Sequence, residues 1–371
     1  MATDHHTARR HLERLTRERS IQTLAEAVLP NEDDLSPRLN RSSSLAPDAI
    51  HRRWSIAGDP SSAKQTMLNE ATLQDASRFE RNIENFIGTI ELPVGLAGPL
   101  RVNGVHASGD YYVPMATTEA ALVASCTRGA HLITKAGGCA AAVLNEGVSR
   151  APAFVFDTLA DVGRFADWLT REFDSVRDVA QGTTRFGKLV DLRLSIEGAT
   201  AYLQLIYEVG EAAGQNMVTL ATEAACRWVC DHTPIAPRRW YVEANLSGDK
   251  KACAQSFLGV RGKKAIAEVV LPGELVRSRL HCTPAELCSY YRVSAMGGVL
   301  SGAQGIQGHY ANAIAAAYLA TGQDAACVAE SAIGVTRIEE REGDRLYASV
   351  TLPNLIVGSV GGGIGLPSAR A

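Results

Sequence analysis

The sequence predicts an α+β fold in which a small β-α-β-β-α-β domain is inserted into a large discontinuous domain of mixed helices and strands. Three observations carry this expectation. Residues 152–242 alternate strand-like and helix-like periodicity in the split βαβ order of a ferredoxin-like unit. The flanks, 69–151 and 243–371, carry glycine-punctuated strands and apolar helical runs, and read as one domain left and re-entered. Residues 1–68 differ from both, combining an arginine-rich amphipathic stretch with a polar, breaker-rich one, and form an N-terminal helical and linker segment.

Taken in order, Arg9 to Leu29 predicts a short helix, PNEDDLSPRLNRSSSLAPD a flexible linker, and the approach to Trp54 a second helix. From Phe86 the run IGTIELPVGLAGPLRVNG is β-like, and Asn103-Gly104 predicts a hairpin turn into HASGDYYVPMA. TTEAALVASCTRGAHLITKAG reads as a helix, followed by a shorter one around Ala140–Asn145. In the insert, the strand PAFVFD precedes a helix with Leu159, Val162, Phe165, Leu169, Phe173 and Val176 at helical spacing. Two alternating strands, KLVDLRLSIEG and TAYLQLIYEVG, lead to the helix NMVTLATEAACRWVCDH and the strand RRWYVEAN. Beyond the insert, His309–Ala320 reads as a helix that Gly322 ends, and LYASVTLPNLIV as a strand.

Composition narrows the class of function. In 371 residues, 37 basic and 40 acidic side chains leave a net charge of −3, and 46% of residues are hydrophobic. These values suit a soluble globular enzyme and exclude a mainly electrostatic nucleic-acid binder. The apolar stretch around Ala311–Ala320 is too short to span a bilayer, and MATDHHTARRHLER lacks the apolar core of a secretory signal. No membrane or nucleic-acid partner is expected. The eight cysteines are scattered without a Cys-x-x-Cys pair, which predicts reduced thiols in a cytoplasmic protein and no metal site.

Several short passages could carry chemistry, each against a plainer alternative. Asp249-Lys250-Lys251 follows the last strand of the insert; most such triplets are solvated surface, but a lysine there could meet a developing oxyanion or a substrate carboxylate. Glu119 stands at a helix start, where a carboxylate ordinarily complements the helix dipole; acting as an acid requires burial or a neighbouring anion. Asp324 reads first as an N-cap. The run Gly358 to Gly365 holds five glycines in eight residues, which lets backbone approach a ligand. It does not match G-x-G-x-x-G, so a Rossmann fingerprint is absent and any dinucleotide needs another device. Glu211 to Met217, at a strand-to-helix junction, offers backbone donors that could hold phosphates, although an isolated glycine loop is usually only a turn.

Together, in this order, Glu84-Asn85-Phe86-Ile87-Gly88, Leu92-Pro93-Val94-Gly95-Leu96-Ala97-Gly98-Pro99, Pro114-Met115-Ala116-Thr117-Thr118-Glu119, Asp249-Lys250-Lys251, Gly322-Gln323-Asp324-Ala325-Ala326 and GSVGGG resemble the hydroxymethylglutaryl-coenzyme A (HMG-CoA) reductases, from about residue 69 to the end. The MATTE form resembles the biosynthetic class I, soluble microbial type, without the membrane anchor of animal members. The resemblance implies reduction of HMG-CoA to mevalonate and coenzyme A with two NADPH, through mevaldyl-CoA hemithioacetal and mevaldehyde. It matches Lys250 to the oxyanion-stabilising lysine, Glu119 to the proton donor, and Asp324 to an aspartate close to both that raises the pKa of Glu119 and keeps Lys250 charged.

By the same resemblance, Arg150, Asp249 and Lys251 contact the hydroxymethylglutaryl end. Ser125, Arg128, His309 and Asn312 line the thioester and substrate pocket, although His309 alone would read as a locally bonded histidine at a helix start. The insert becomes a non-Rossmann NADP-binding domain, with Thr184 and Arg185 at the 2′-phosphate and Glu211, Gly214, Gln215, Asn216, Gly361 and Gly362 around the cofactor. Glu211 to Met217 replaces the family's Asp-Ala-Met-Gly-Met-Asn-Met, and Glu243-Ala244-Asn245-Leu246 lacks its Ser-Gly-Asn. No histidine follows His309, so the family's C-terminal segment, whose histidine protonates the departing thiolate, is expected to be missing. At least a homodimer is implied, with active sites shared between subunits.

Two other functions remain open at this level. Lys250 could form a Schiff base in an aldolase-like lyase, or the chain could be a non-catalytic acyl-CoA-binding homologue. Neither explains why Glu119, Lys250 and Asp324 all fall in matching motifs.

Overall fold

The computed structural model describes residues 4–30, 36–80, 82–259, 261–366 and 369; residues 31–35 of the expected linker lie outside the described residues. The chain divides into two compact units, Met1–Thr89 and Ile90–Ala371.

The first unit contains α1 (His5–Leu15), α2 (Ile21–Ala27), α3 (Pro47–Ile56), α4 (Ser61–Met67) and α5 (Glu70–Gln74). One small core joins Ile50, Trp54, Leu68, Ala76 and Phe86. That core moves the boundary expected at residue 68. Ala76 and Phe86 bury their surface against Trp54, so the chain up to Thr89 folds with what precedes it. The Glu84–Gly88 motif belongs to this unit and is not the start of a strand. The carbonyls of Phe86 and Ile87 accept hydrogen bonds from the buried Arg53 guanidinium at 2.9 Å and the Trp54 indole at 2.8 Å, so α3 holds the extended chain that a sheet would otherwise pair. Gly88 is required there, because a Cβ would lie 2.3 Å from the Met67 carbonyl oxygen.

The second unit mixes helices with two connected, mostly antiparallel sheets. β1 (Val94–Gly104) and β2 (Ser108–Ala116) form a hairpin, but Asn103 and Gly104, expected as its turn, pair within β1 and the chain turns at residues 105–107; α6 (Leu122–Lys135) follows. β3 (Cys139–Arg150) occupies the segment in which a short helix was expected around Ala140–Asn145. It pairs with β8 (Gly262–Pro272) from Ala140 to Gly147 and with β1 at Cys139–Ala141, so tertiary pairing overrides the helix propensity of alanine. The large sheet continues from β8 through β11 (Arg345–Leu355) and β10 (Gly334–Arg341) to β9 (Gly305–Ile306). Covering it are α11 (Gly273–Leu280) and α12 (Pro284–Ser301), which bury Val276 and Cys288 with Leu132, Leu271 and Leu346. A capping box between Thr283 and Glu286 starts α12.

Between these strands lie β4 (Ala153–Val155), α7 (Leu159–Arg171), α8 (Phe173–Gly182), β5 (Lys188–Glu197), β6 (Thr200–Glu208), α9 (Gln215–His232) and β7 (Arg239–Tyr241). Their strands pair antiparallel in the spatial order β7, β4, β6, β5. The helical stripe read from Leu159 to Val176 is two helices, broken at Glu172. Val162, Phe165, Leu169 and Val176 are buried with Phe154, Phe156 and Leu205, whereas Leu159 is 64% exposed. The end of β3, Val148 to Arg150, leaves the large sheet to pair with β6. One strand therefore ties both sheets together, and Ile90–Ala371 forms one unit.

Three shorter helices complete the fold: α10 (Gln255–Leu258), α13 (Tyr310–Ala320) and α14 (Val328–Ser331). Among the described residues, no helix is long and apolar enough to cross a membrane.

Candidate active site

The loop after β7 carries Asp249-Lys250-Lys251. Gly248 (φ +75°) and Lys250 (φ +55°) both adopt left-handed backbone, which costs a lysine energy unless its surroundings impose it. Those surroundings are unusually charged. Asp249 accepts from Arg150 Nη1 at 2.6 Å and from the guanidinium of Arg261. Arg261 pairs in turn with Glu330, its Nε 2.7 Å from Oε2. Arg261 is 3% exposed and Glu330 1%, so this ion pair lies in the interior.

Burial works to raise the Asp249 carboxyl, but the two guanidinium groups outweigh it and hold that carboxyl below the usual carboxylate range. Burial pushes Glu330 above that range, opposed by Arg261.

Lys250 Nζ lies 2.9 Å from Asp324 Oδ2. The hydrogen bond to Asp324 raises the Lys250 pKa against partial burial. Asp324 is lowered: burial opposes the shift, while the Lys250 ammonium and the Ala326 N–H produce it. Asp324 caps the 3₁₀ turn Ala325–Cys327 by accepting from Ala326 N–H at 3.0 Å, so the plain capping role and the lysine contact coexist. Cys327 is buried beside them, its thiol pushed up to about 12 by burial and nearby carboxylates.

Glu119 stands apart from this pair. It follows β2 on an exposed turn, where Asn312 Nδ2 donates to its Oε1 at 3.0 Å. α13 brings Asn312 there by packing on β2, with Ala316 buried against Met115 and Ala97. Among the described residues no ion pair joins Glu119 to Lys250, and Asp324 reaches Lys250 and Ala326 rather than Glu119. Ser125 and Arg128 are exposed on α6, and exposed His309 precedes α13 in left-handed backbone.

Arg150 is built into the same charged cluster. It is 8% exposed, and its donors reach Thr219 Oγ1 (2.8 Å), Asp249 (2.6 Å) and the Gln215 carbonyl (3.4 Å). Asp249, next to Lys250 in the chain, is thus gripped by two guanidinium groups. Lys251 is exposed, its ammonium donating to the Asp249 carbonyl at 2.7 Å.

The C-terminal glycine run joins this region to the start of α9. Gln323 clamps Gly358 with two hydrogen bonds, donating to its carbonyl at 3.1 Å and accepting from its N–H at 3.0 Å. Glu211 accepts from Ser359 Oγ at 2.6 Å, and Ala212 bridges Val360. Gln215 donates to the Cys327 sulfur at 2.9 Å. Gly214 precedes α9 at φ +74°, and no side chain caps the helix. The turn carrying Arg185 abuts the same helix start, Thr184 Oγ1 donating to Met217 Sδ at 2.9 Å. Arg185 and Asn216 are exposed, and Gly361 and Gly362 have open space where a Cβ would project.

A sequence model described as hydroxymethylglutaryl-coenzyme A reductase matches residues 49–371. The chain belongs to this family. It is an NAD(P)H-dependent oxidoreductase of the mevalonate pathway. The HMG-CoA reductase of Methanothermobacter thermautotrophicus is 42% identical over 299 residues, covering 80% of this chain and 74% of that protein. The Aeropyrum pernix reductase is 42% identical over 293 residues, covering 79% and 69%. Among solved structures, the class II reductase of Streptococcus pneumoniae bound to NADPH in open conformations superposes with a TM-score of 0.61 at 19% identity, covering 86% of this chain and 87% of that one. At that identity the likeness speaks for the fold, and the archaeal relatives agree with the class I-like reading of MATTE.

Within the reductase, Arg261 and Glu330 are the residues that sequence reasoning missed. A signal existed for each. Glu330 sits in the apolar run AACVAESAIGV, where an acid must be buried or paired, and Arg261 opens a basic run at the start of β8.

Proposed function

We propose that the chain reduces HMG-CoA to mevalonate and coenzyme A with two NADPH, in the cytoplasm, as a homodimer or larger homo-oligomer. The observation that carries the mechanism is the 2.9 Å pair of Lys250 and Asp324. Asp324 keeps Lys250 an ammonium, and an ammonium is what a thioester oxygen gaining negative charge requires. The same raised pKa opposes a Schiff-base lysine, which must lose its proton to attack a carbonyl. Glu119 is the proton donor to the alkoxide of the aldehyde stage, held by Asn312. Ser125, Arg128 and His309 lie exposed for the thioester and coenzyme A arm, and Lys251 for the substrate carboxylate.

NADPH, when bound, supplies the hydrides. The uncapped start of α9 and the exposed Arg185 beside it fit a phosphate-bearing nucleotide, since helix N–H groups and a guanidinium both favour anions. Thr184, Arg185, Gly214, Gln215 and Asn216 would hold its phosphates, and Gly361 and Gly362 leave room beside it. Glu211 contributes indirectly, by fastening the glycine run through Ser359.

The oligomer has support in α12. Tyr290, Val293, Met296 and Leu300 are 59–82% exposed along one helical stripe, an apolar face that a second copy would cover.

The test is a stopped assay of NADPH, mevalonate and free thiol with HMG-CoA as substrate. Two NADPH are expected per mevalonate, and Lys250→Ala should lower kcat about 10³-fold with the fold intact. Coenzyme A binding without NADPH oxidation would identify an acyl-CoA-binding homologue instead.

A further inference from the structure

Lys250 is held from two directions by one short segment. Asp324 at its start takes the ammonium, and Glu330, in α14, reaches the same residue's backbone: Lys250 N–H donates to Glu330 Oε1 at 3.2 Å. The other Glu330 oxygen faces Arg261 Nε at 2.7 Å. Arg261 is itself fixed, its N–H donating to Asn354 Oδ1 at 3.0 Å and its side chain to the Ser149 carbonyl and Asp249. Asn354 is 0% exposed and donates to the Ser256 carbonyl at 3.1 Å.

A lysine in left-handed backbone returns to an ordinary conformation unless something fixed opposes it. A carboxylate that is 1% exposed and ion-paired to a guanidinium is such a fixture. Burying the acid costs free energy that a hydrophobic residue would not, so the group has a task beyond stability. The geometry points to Glu330 as the positioning residue for Lys250, holding its backbone so that the ammonium stands over Asp324 and toward substrate. This inference rests on the reading of Lys250 as the oxyanion-stabilising residue.

Glu330→Gln and Glu330→Met test it as a pair in the full chain. Both remove the charge beside Arg261 and keep the side-chain length, so their cost to folding is shared. They differ in that Gln keeps one oxygen able to accept from the Lys250 N–H, its NH2 then turning toward Arg261, whereas Met keeps no acceptor. Expected for Gln is a kcat within about 3-fold of the parent; for Met, a loss of roughly 10- to 100-fold with KM for HMG-CoA within about 3-fold. Hydrogen exchange at the Lys250 amide should be faster in the Met variant than in the Gln variant. Glu330→Asp keeps the charge for Arg261 while drawing the oxygen back from the amide by one methylene. Its kcat should also fall, so the question stays answerable if both neutral variants fold poorly.

Equal kcat and equal amide exchange in the Gln and Met variants, with an unimpaired Asp variant, would overturn the inference while leaving Lys250 catalytic. Parental kcat in Lys250→Ala would instead sink the reading of the site on which the inference rests.

Discussion

Lys250 is held at its backbone N–H by Glu330, at its ammonium by Asp324, and through its neighbour Asp249 by two arginines. The carboxylate of Glu119 is held by one hydrogen bond, from Asn312, on an exposed turn. The partly exposed Lys250–Asp324 pair thus rests on charges sunk in the interior, Arg261 and Glu330. At Glu119 the chain supplies only a loose tether. Buried ion pairs fix geometry because each loses solvation and cannot be left unpaired. A solvated carboxylate held by one hydrogen bond has no such constraint.

The contrast can be broken most directly at its loose end. Glu119→Gln should lower kcat for reduction of free mevaldehyde by about 10²- to 10³-fold, since no general acid replaces it. A rate within a few-fold of the parent would show that the proton comes from elsewhere. Asn312→Ala removes only the tether, and a loss of about 10-fold in kcat with a Tm close to the parent's is expected from one hydrogen bond to a charged group. A lowered Tm with unchanged kcat would make Asn312 a structural residue alone.

The fixed end should respond in pH. With Asp324→Asn, Lys250 loses the partner that raises its pKa, so the alkaline limb of the kcat/KM profile should move to lower pH. An unmoved limb would separate Lys250 from that ionisation. The effect on stability should be the smallest of all. Lys250, raised in the folded state, stabilises fully below its unfolded pKa and loses that contribution as pH rises through the folded one. Asp324, lowered, contributes above its unfolded pKa and loses it as pH falls through the folded one. Both side chains are more than two-fifths exposed, so solvent screening keeps the difference between parent and variant melting curves small at either extreme.

Local periodicity made the strands and helices of 152–242 legible, because alternation and helical spacing are properties of neighbouring residues. The β1–β2 hairpin, though not its turn, which falls just beyond Asn103–Gly104, and the capping role of Asp324 were legible for the same reason. The motif order was legible as well, and it placed the chain in its family before any contact was known. Tertiary structure decided the rest. Cys139 to Asn145 became a strand because it found partners in β1 and in the sequence-distant β8, which no local propensity encodes. Leu68, Ala76 and Phe86 joined one core across a boundary that composition placed at residue 68. Arg261 and Glu330 came together beside Lys250, and Arg150 paired with Asp249, because burial makes a charge seek its opposite at any sequence distance. The side chains that could do the chemistry were written along the chain, while the geometry that fixes one and leaves another free came only with long-range burial of charge.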